Sequence, residues 1–193
     1  MSADYSQLPA DLPVPEDDGA ADHLTGMALP EIHLFSTVGG STDLAKAAQE
    51  RLVAYVYPRT GTPGEPLPIG WDDIPGARGC TPQSCAYRDS LAEFSSLGAT
   101  VIGISAQSPE EQAEFAEREH IPFPLLSDSE LKLAGELRLP TFEADGMTLY
   151  KRLTFVAEGT IGKVFYPVFP PDRNAAEVLA WLRGGRVDGG GRN

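Results

Sequence analysis

The chain has 193 residues, 41% of them apolar, and a formal net charge of −13 at pH 7. This length accommodates one domain with a buried core, and the apolar fraction is ordinary for a globular protein. The negative charge disfavours nucleic acids and anionic membrane surfaces as partners, because both are bound through clusters of Lys and Arg.

The two ends of the chain differ in composition from the middle. Residues 1–22 are acidic and rich in proline, and residues 185–193 are rich in glycine, so we predict a flexible tail at each end and one domain at 23–184. No run of about 18 apolar residues occurs, so no membrane-spanning helix is predicted. The N-terminus lacks the basic start and apolar stretch of a secretory signal. We therefore expect a cytoplasmic, reducing location.

The first half of the domain predicts a β-hairpin, two buried strands and a helix between these strands. The hairpin is "IHLFSTVGGSTDL" (32–44), which turns at two glycines, and the strands are "LVAYVY" (52–57) and "TVIGIS" (100–105). Between the strands, Thr81-Pro82 is typical of an N-cap and a first helical residue. The apolar residues that follow at helical spacing are Tyr87, Leu91, Phe94 and Leu97.

The second half continues the alternation of helices and strands. "SPEE" (108–111) is a capping box that begins a helix ending near residue 119, and "FPLLS" (123–127) predicts a third strand. A short helix at "SELKLAGEL" (129–137), a hairpin at "RLTFVAEGTIGKVFY" (152–166) and a final helix capped by Asp172 follow. This order predicts an α/β fold with a mixed central sheet, and the carboxyl end of its first buried strand is the expected place for a site.

The two cysteines of the chain, Cys80 and Cys85, lie at the start of the first predicted long helix. Unpaired backbone N–H groups and the helix dipole favour an anion at that position. They therefore favour the thiolate of Cys80, which is the nucleophilic form of cysteine. A small buried apolar residue is the alternative role of a free cysteine. The helix start and the second cysteine favour redox chemistry.

The C-x4-C spacing has a mechanical consequence. Positions i and i+5 of an α-helix lie about 7.5 Å apart along the axis and about 140° apart around it. A disulfide requires Cα atoms within about 7 Å of each other. If Cys80 and Cys85 pair, the first turn or more of the helix must unwind. We expect oxidation to be coupled to local unfolding of residues 80–88.

Metal binding is a competing use of two thiols, but the sequence disfavours it. A structural zinc site needs four ligands, typically in closely spaced Cys or His pairs. The three histidines of the chain (His23, His33 and His120) are scattered. A copper-binding C-x3-C pair is also one residue shorter than the spacing present here.

The cysteine segment and its surroundings resemble the peroxiredoxins. A buried strand is followed by "PRTGTPG" (58–64) and later by "GCTPQSCAYRD" (79–89), as in the peroxiredoxin Q (bacterioferritin comigratory protein) group. Further matches are "GATVIGIS" (98–105), "FPLLSD" (123–128) and "KRLTFVAEGTIGKVF" (151–165), so the resemblance covers most of the domain.

This resemblance implies a thioredoxin-like fold, with a central mixed β-sheet flanked by helices and an N-terminal β-hairpin. It also implies an atypical 2-Cys peroxiredoxin that reduces hydrogen peroxide or organic hydroperoxides. Cys80 matches the peroxidatic cysteine and Cys85 the resolving cysteine. Thr62 matches the hydroxyl that contacts thiolate and peroxide, Pro58 the residue that shields the site, and Arg152 the distal arginine.

The resemblance further implies the course of turnover. A sulfenic acid at Cys80 is resolved as a disulfide with Cys85, and a thioredoxin- or glutaredoxin-type reductant recycles the enzyme. No bound cofactor or metal is implied, and either a monomer or a homodimer is compatible. Two other functions stay open, namely a non-catalytic redox sensor or thiol–disulfide partner, and a binding module without sulfenic acid chemistry.

Two arginines have competing interpretations. Arg88 is either part of the site or half of a helix-surface ion pair with Asp89 or Glu93. Arg152 is either a surface charge at the start of a strand or a donor at the site, and its place in "RLTFV" favours the site.

One feature departs from the family pattern. The peroxidatic cysteine is expected three residues after the threonine, but Glu65 occupies that position and Cys80 comes fifteen residues later. Either the insertion at 65–79 loops out and Thr62 returns beside Cys80, or Thr62 is displaced and the site is rebuilt. The prolines of the insertion favour a stiff loop. Trp71 and Ile74 are able to pack it as a rim over the site, whereas a surface loop without a catalytic part is the alternative.

Overall fold

The structure, a computed structural model, describes residues 8–184 and contains one sheet of seven strands and one of two. In chain order the strands are β1 (His33–Ser36), β2 (Ser41–Asp43), β3 (Arg51–Val56), β4 (Ala99–Ser105), β5 (Leu125–Ser127), β6 (Thr141–Ala144), β7 (Met147–Tyr150), β8 (Leu153–Glu158) and β9 (Thr160–Phe165). The large sheet has the order β2-β1-β5-β4-β3-β8-β9. Strands β3, β4 and β5 are parallel, whereas the other neighbours are antiparallel. The predicted mixed central sheet and N-terminal hairpin are confirmed.

Helices cover both faces of this sheet. They are α1 (Leu44–Ala47), α2 (Cys80–Asp89), α3 (Leu91–Ser96), α4 (Pro109–Arg118), α5 (Lys132–Leu137) and α6 (Asn174–Gly184). The side chains of β3 alternate between two apolar clusters, one shared with α1 and α5 and the other with α2, α4 and α6. This strand is therefore buried on both faces, as its apolar run predicts.

Local signals set the start of α4, whereas two other helix boundaries differ from their predictions. The Ser108 hydroxyl accepts a hydrogen bond from the Glu111 N–H, and the Glu111 carboxylate accepts one from the Ser108 N–H, so the predicted capping box is present. The long helix predicted after the cysteines breaks at Ser90 into α2 and α3. Asp172 lies within a 3-10 turn (Pro171–Arg173) that precedes α6.

Residues 8–22 contact the domain, although the sequence places them in a flexible tail. The Asp18 carboxylate accepts hydrogen bonds from Lys151 Nζ (2.6 Å) and the Tyr166 hydroxyl (2.7 Å), which hold the pKa of Asp18 well below its usual range. The side chain of Pro15 lies against Gly76 of the insertion. The remainder of the predicted tails, residues 1–7 and 185–193, lies outside the described residues.

The β6–β7 hairpin was not predicted from the sequence. Its turn is Asp145-Gly146, and both residues have positive φ angles (50° and 75°), as a tight hairpin turn requires. The hairpin packs against the insertion, because Ala144 and Leu149 share an apolar cluster with Trp71 and Ala77. No helix among the described residues is long and apolar enough to cross a membrane.

Candidate active site

Cys80 is the first residue of α2 and is 3% exposed. The N-cap is Gly79, with a φ angle of 97°, rather than Thr81 as the local sequence predicts. A Cβ atom at position 79 would lie 2.3 Å from Pro171 Cγ and 2.6 Å from Leu8 Cδ2. Glycine is therefore required there both by backbone conformation and by space. This cap places Cys80 inside the first helical turn, where backbone N–H groups lack helical partners.

The guanidinium of Arg152 contacts the sulfur of Cys80. Nη2 lies 3.1 Å from Cys80 Sγ, and the arginine is 3% exposed. Its other partners include three carbonyl oxygens at the end of the insertion: Nε donates to Gly76 (3.2 Å), and Nη2 donates to Ala77 (3.1 Å) and Arg78 (2.9 Å). No carboxylate within residues 8–184 pairs with this guanidinium. A buried cation without an anionic partner stabilises negative charge on the sulfur beside it.

Gln83 holds Arg152 in this position. Its Oε1 accepts from Arg152 Nη1 (2.5 Å), and its Nε2 donates to Asn174 Oδ1 (3.0 Å). The same Asn174 oxygen accepts from the hydroxyls of Tyr87 (2.6 Å) and Thr154 (2.7 Å). This buried network joins α2, β8 and α6, and it fixes the orientation of the guanidinium toward the sulfur.

Cys80 lines a cavity of about 20 Å³. Its walls come from the segment after β3, from the insertion and from the start of α2. The lining residues are Arg59, Thr60, Gly61, Leu67, Trp71, Arg78, Gly79, Cys80 and Thr81.

Thr62 does not line this cavity, and no hydrogen bond joins it to Cys80 in the described part of the chain. The hydroxyl-bearing residue that follows β3 into the cavity is Thr60, which is buried. Thr60 Oγ1 donates a hydrogen bond to Gln107 Oε1 (3.0 Å). Gln107 Oε1 also accepts a hydrogen bond from the Thr60 backbone N–H (2.8 Å). Thr60, rather than Thr62, therefore provides the hydroxyl-bearing residue after β3 that lines the Cys80 cavity.

Pro58 does not line the cavity. It is buried, and its carbonyl accepts a hydrogen bond from Ser105 Oγ (3.0 Å) at the end of β4. The structure thus brings Cys80 and Arg152 into contact and leaves Thr62 and Pro58 outside the cavity.

Cys85 is half-buried in α2, and its Sγ lies 3.7 Å from Glu119 Oε2. Partial burial raises the pKa of the Cys85 thiol, the Arg88 guanidinium opposes this shift, and the Glu119 carboxylate adds to it. Cys85 is therefore held as a neutral thiol near pH 7. Arg88 forms the predicted ion pair with Asp89 (2.8 Å) and also donates to the Glu119 carbonyl (2.6 Å).

Comparisons with known proteins identify a family and several relatives of this chain. The AhpC/TSA family model matches residues 74–164. A chloroplastic peroxiredoxin Q of Sedum lineare is 34% identical, over 82% of this chain and 77% of that protein. A chloroplastic peroxiredoxin Q of Populus jackii is 33% identical, over 82% of this chain and 67% of that protein. Peroxidoxin BcpB of Mycobacterium tuberculosis superposes with a TM-score of 0.67 at 29% identity, over 84% of this chain and 97% of that one. Xanthomonas campestris peroxiredoxin Q superposes with a TM-score of 0.63 at 25% identity, over 91% of this chain and 97% of that one.

The chain belongs to the peroxiredoxin family. The predicted thioredoxin-like fold is confirmed, because the superposed structures are peroxiredoxins of that fold. Membership of this family makes the protein a thiol peroxidase.

In this peroxiredoxin the insertion forms part of the site. Trp71 is 3% exposed, and its ring centroid lies 6.1 Å from that of Phe142 in the β6–β7 hairpin. Arg78 Nε and Asp72 Oδ1 lie 2.7 Å apart, which ties the end of the insertion to its middle. Since Trp71 and Arg78 also line the Cys80 cavity, the insertion is a wall of the site rather than a surface loop.

Gln83 and Thr60 are among the residues of this site that were not predicted from the sequence. Gln83 follows Cys80 by three positions, so helical spacing alone places both on one face of α2. Thr60 has no such signal, because its entry into the cavity depends on the course of the loop after β3.

Proposed function

We propose that this peroxiredoxin reduces hydrogen peroxide through Cys80, resolves the product with Cys85 and is recycled by a thioredoxin-type dithiol. The observation that supports this proposal most strongly is the 3.1 Å contact between Cys80 Sγ and a buried guanidinium that has no carboxylate partner among the described residues. The arrangement stabilises negative charge at the sulfur and next to it.

In the first step the Cys80 thiolate attacks one oxygen of the peroxide. A sulfur–oxygen bond forms, the O–O bond breaks, and the departing oxygen takes a proton to leave as water or an alcohol. The sulfur loses two electrons and becomes a sulfenic acid, while the peroxide gains two. The positive charge of the Arg152 guanidinium stabilises the oxygen on which charge develops, as cations and donors at other oxyanion sites do.

In the second step the Cys85 sulfur attacks the sulfenic sulfur, and a disulfide forms as water leaves. A dithiol reductant then returns both cysteines to thiols by thiol–disulfide exchange and is itself oxidised. The two sulfurs occupy different environments in α2, since Cys80 contacts Arg152 and Cys85 lies beside Glu119. The disulfide therefore requires that the start of α2 unwinds.

We expect amide hydrogen exchange in residues 80–88 to increase when the protein is oxidised with one equivalent of peroxide. Unwinding breaks backbone hydrogen bonds of the first turn of α2, such as the one from the Gln83 N–H to the Gly79 carbonyl (3.0 Å), so the backbone amides lose their protection. Exchange measured by mass spectrometry on reduced and oxidised protein tests this. The Cys85→Ser variant is the control, because it forms no internal disulfide and should retain the protection. Equal exchange in reduced and oxidised wild-type protein contradicts the unwinding.

Repeated turnover distinguishes a peroxidase from a redox sensor. We expect sub-stoichiometric protein with thioredoxin, thioredoxin reductase and NADPH to consume many equivalents of hydrogen peroxide. Cys85→Ser should lose turnover with thioredoxin, because the internal disulfide is the form that this reductant recognises. Consumption of one equivalent per wild-type chain, followed by no further reaction, contradicts the proposed peroxidase cycle.

A further inference from the structure

We propose that the insertion, residues 65–79, restricts the Cys80 site to hydrogen peroxide and similarly small peroxides, and that Leu67 and Trp71 set this limit. The inference rests on the proposed peroxidase function of Cys80. It concerns the substrate class, which family membership leaves open.

The size of the cavity is the first observation. Its volume is about 20 Å³. One water molecule requires about 10–15 Å³ on this measure, so the cavity holds about two small polar atoms, such as the two oxygens of hydrogen peroxide. Pockets that bind larger organic molecules typically enclose about 300 Å³ or more. The aromatic group of cumene hydroperoxide exceeds this volume, so it must extend beyond the cavity and past its walls when the peroxide oxygens reach Cys80.

The insertion supplies the wall that limits this space. Leu67 and Trp71 line the cavity together with residues 59–61, which follow β3. Without these two side chains, the cavity would open toward the β6–β7 hairpin, where their apolar neighbours Phe142 and Leu149 lie.

The wall is anchored at several points. Trp71 packs in an apolar cluster with Ala77, Ala144 and Leu149, and each of these residues is at most 5% exposed. The carbonyls of residues 76–78 are held by Arg152. A loop held by buried apolar contacts and by hydrogen bonds of a buried arginine excludes substrates by shape.

A larger cavity lies on the other side of the insertion but gives no room at the sulfur. It encloses about 520 Å³ between the N-terminal segment, the insertion and the loop after β9. Its lining includes Ile74, Pro75, Gly76 and Arg152, but not Cys80. An organic group bound there therefore lies in a space that Cys80 does not line.

Single-turnover oxidation of the reduced protein tests the inference without a reductant. We expect the second-order rate constant of wild-type protein to be at least about tenfold higher for hydrogen peroxide than for cumene hydroperoxide. In Leu67→Ala, the ratio of the cumene hydroperoxide rate to the hydrogen peroxide rate should rise at least about fivefold. Ile69→Ala is the matched control, because Ile69 belongs to the same insertion, is 85% exposed and lies outside the cavity lining. It should leave both rates unchanged.

Trp71→Leu provides a second enlargement of the cavity with an apolar side chain, and it should shift the ratio in the same direction. Equal wild-type rates for the two peroxides, or an unchanged ratio in both Leu67→Ala and Trp71→Leu, overturns the inference while leaving the peroxidase function intact. If hydrogen peroxide does not oxidise Cys80 of the wild-type protein at all, the proposed function itself fails.

Discussion

Replacing Cys80 with serine is expected to lower peroxidase activity at least about a thousandfold, as removal of a catalytic nucleophile does in other enzymes. A serine hydroxyl is not ionised near neutral pH and forms no analogue of the sulfenic acid. Since serine is close to cysteine in size, the first turn of α2 and its cap at Gly79 should persist. The measurement is hydrogen peroxide consumption with the thioredoxin system.

Cys85→Ser serves as the control for this substitution. It retains Cys80, so it should consume one equivalent of peroxide at a rate close to that of wild-type protein and then carry a sulfenic acid that dimedone traps. Dimedone labelling at Cys85 instead of Cys80 in wild-type protein, or full activity in Cys80→Ser, contradicts the assignment of the peroxidatic cysteine.

Replacing Arg152 with alanine is expected to lower kcat/KM for hydrogen peroxide at least about tenfold. Thiolate formation alone explains little acceleration. A thiol whose pKa falls from about 8.5 to about 6 gains roughly 30-fold in thiolate at pH 7 but loses roughly 10- to 18-fold in nucleophilicity. The net gain is about two- to threefold, so most of the acceleration must come from stabilising the charge on the departing oxygen. Arg152 is the buried donor in contact with the reacting sulfur.

The role of Arg152 in holding the insertion calls for two controls. Arg152→Lys keeps the positive charge but not the planar fork that binds the carbonyls of residues 76–78, so we expect an intermediate rate. Arg183→Ala removes an exposed arginine that pairs with Glu93 and should leave the rate unchanged. Thermal unfolding of each variant separates loss of catalysis from loss of structure. A wild-type rate in Arg152→Ala excludes this residue from the mechanism.

Local signals account for the elements that were predicted well. The strand at β3 follows from a continuous apolar run, and the start of α4 from the capping box at Ser108. The break at Ser90 escaped prediction, because the apolar residues on either side keep nearly helical spacing across it. The cap of α2 was misplaced for a related reason. Thr81-Pro82 is a common start signal, but the backbone turns at Gly79, whose positive φ angle only the packed structure reveals.

The sequence by itself determined that this chain has a mixed α/β fold and a cysteine at the start of a helix, because strand runs and helix starts depend on neighbouring residues. Only the tertiary structure decided what surrounds that cysteine. Arg152 lies 72 positions from Cys80 in the chain, and the residue in the cavity after β3 is Thr60 rather than Thr62. The insertion forms a wall of the Cys80 cavity because its apolar side chains pack against the β6–β7 hairpin, which is distant in sequence. Such contacts depend on how whole helices and strands pack together. The spacing of residues along the chain does not directly encode this packing.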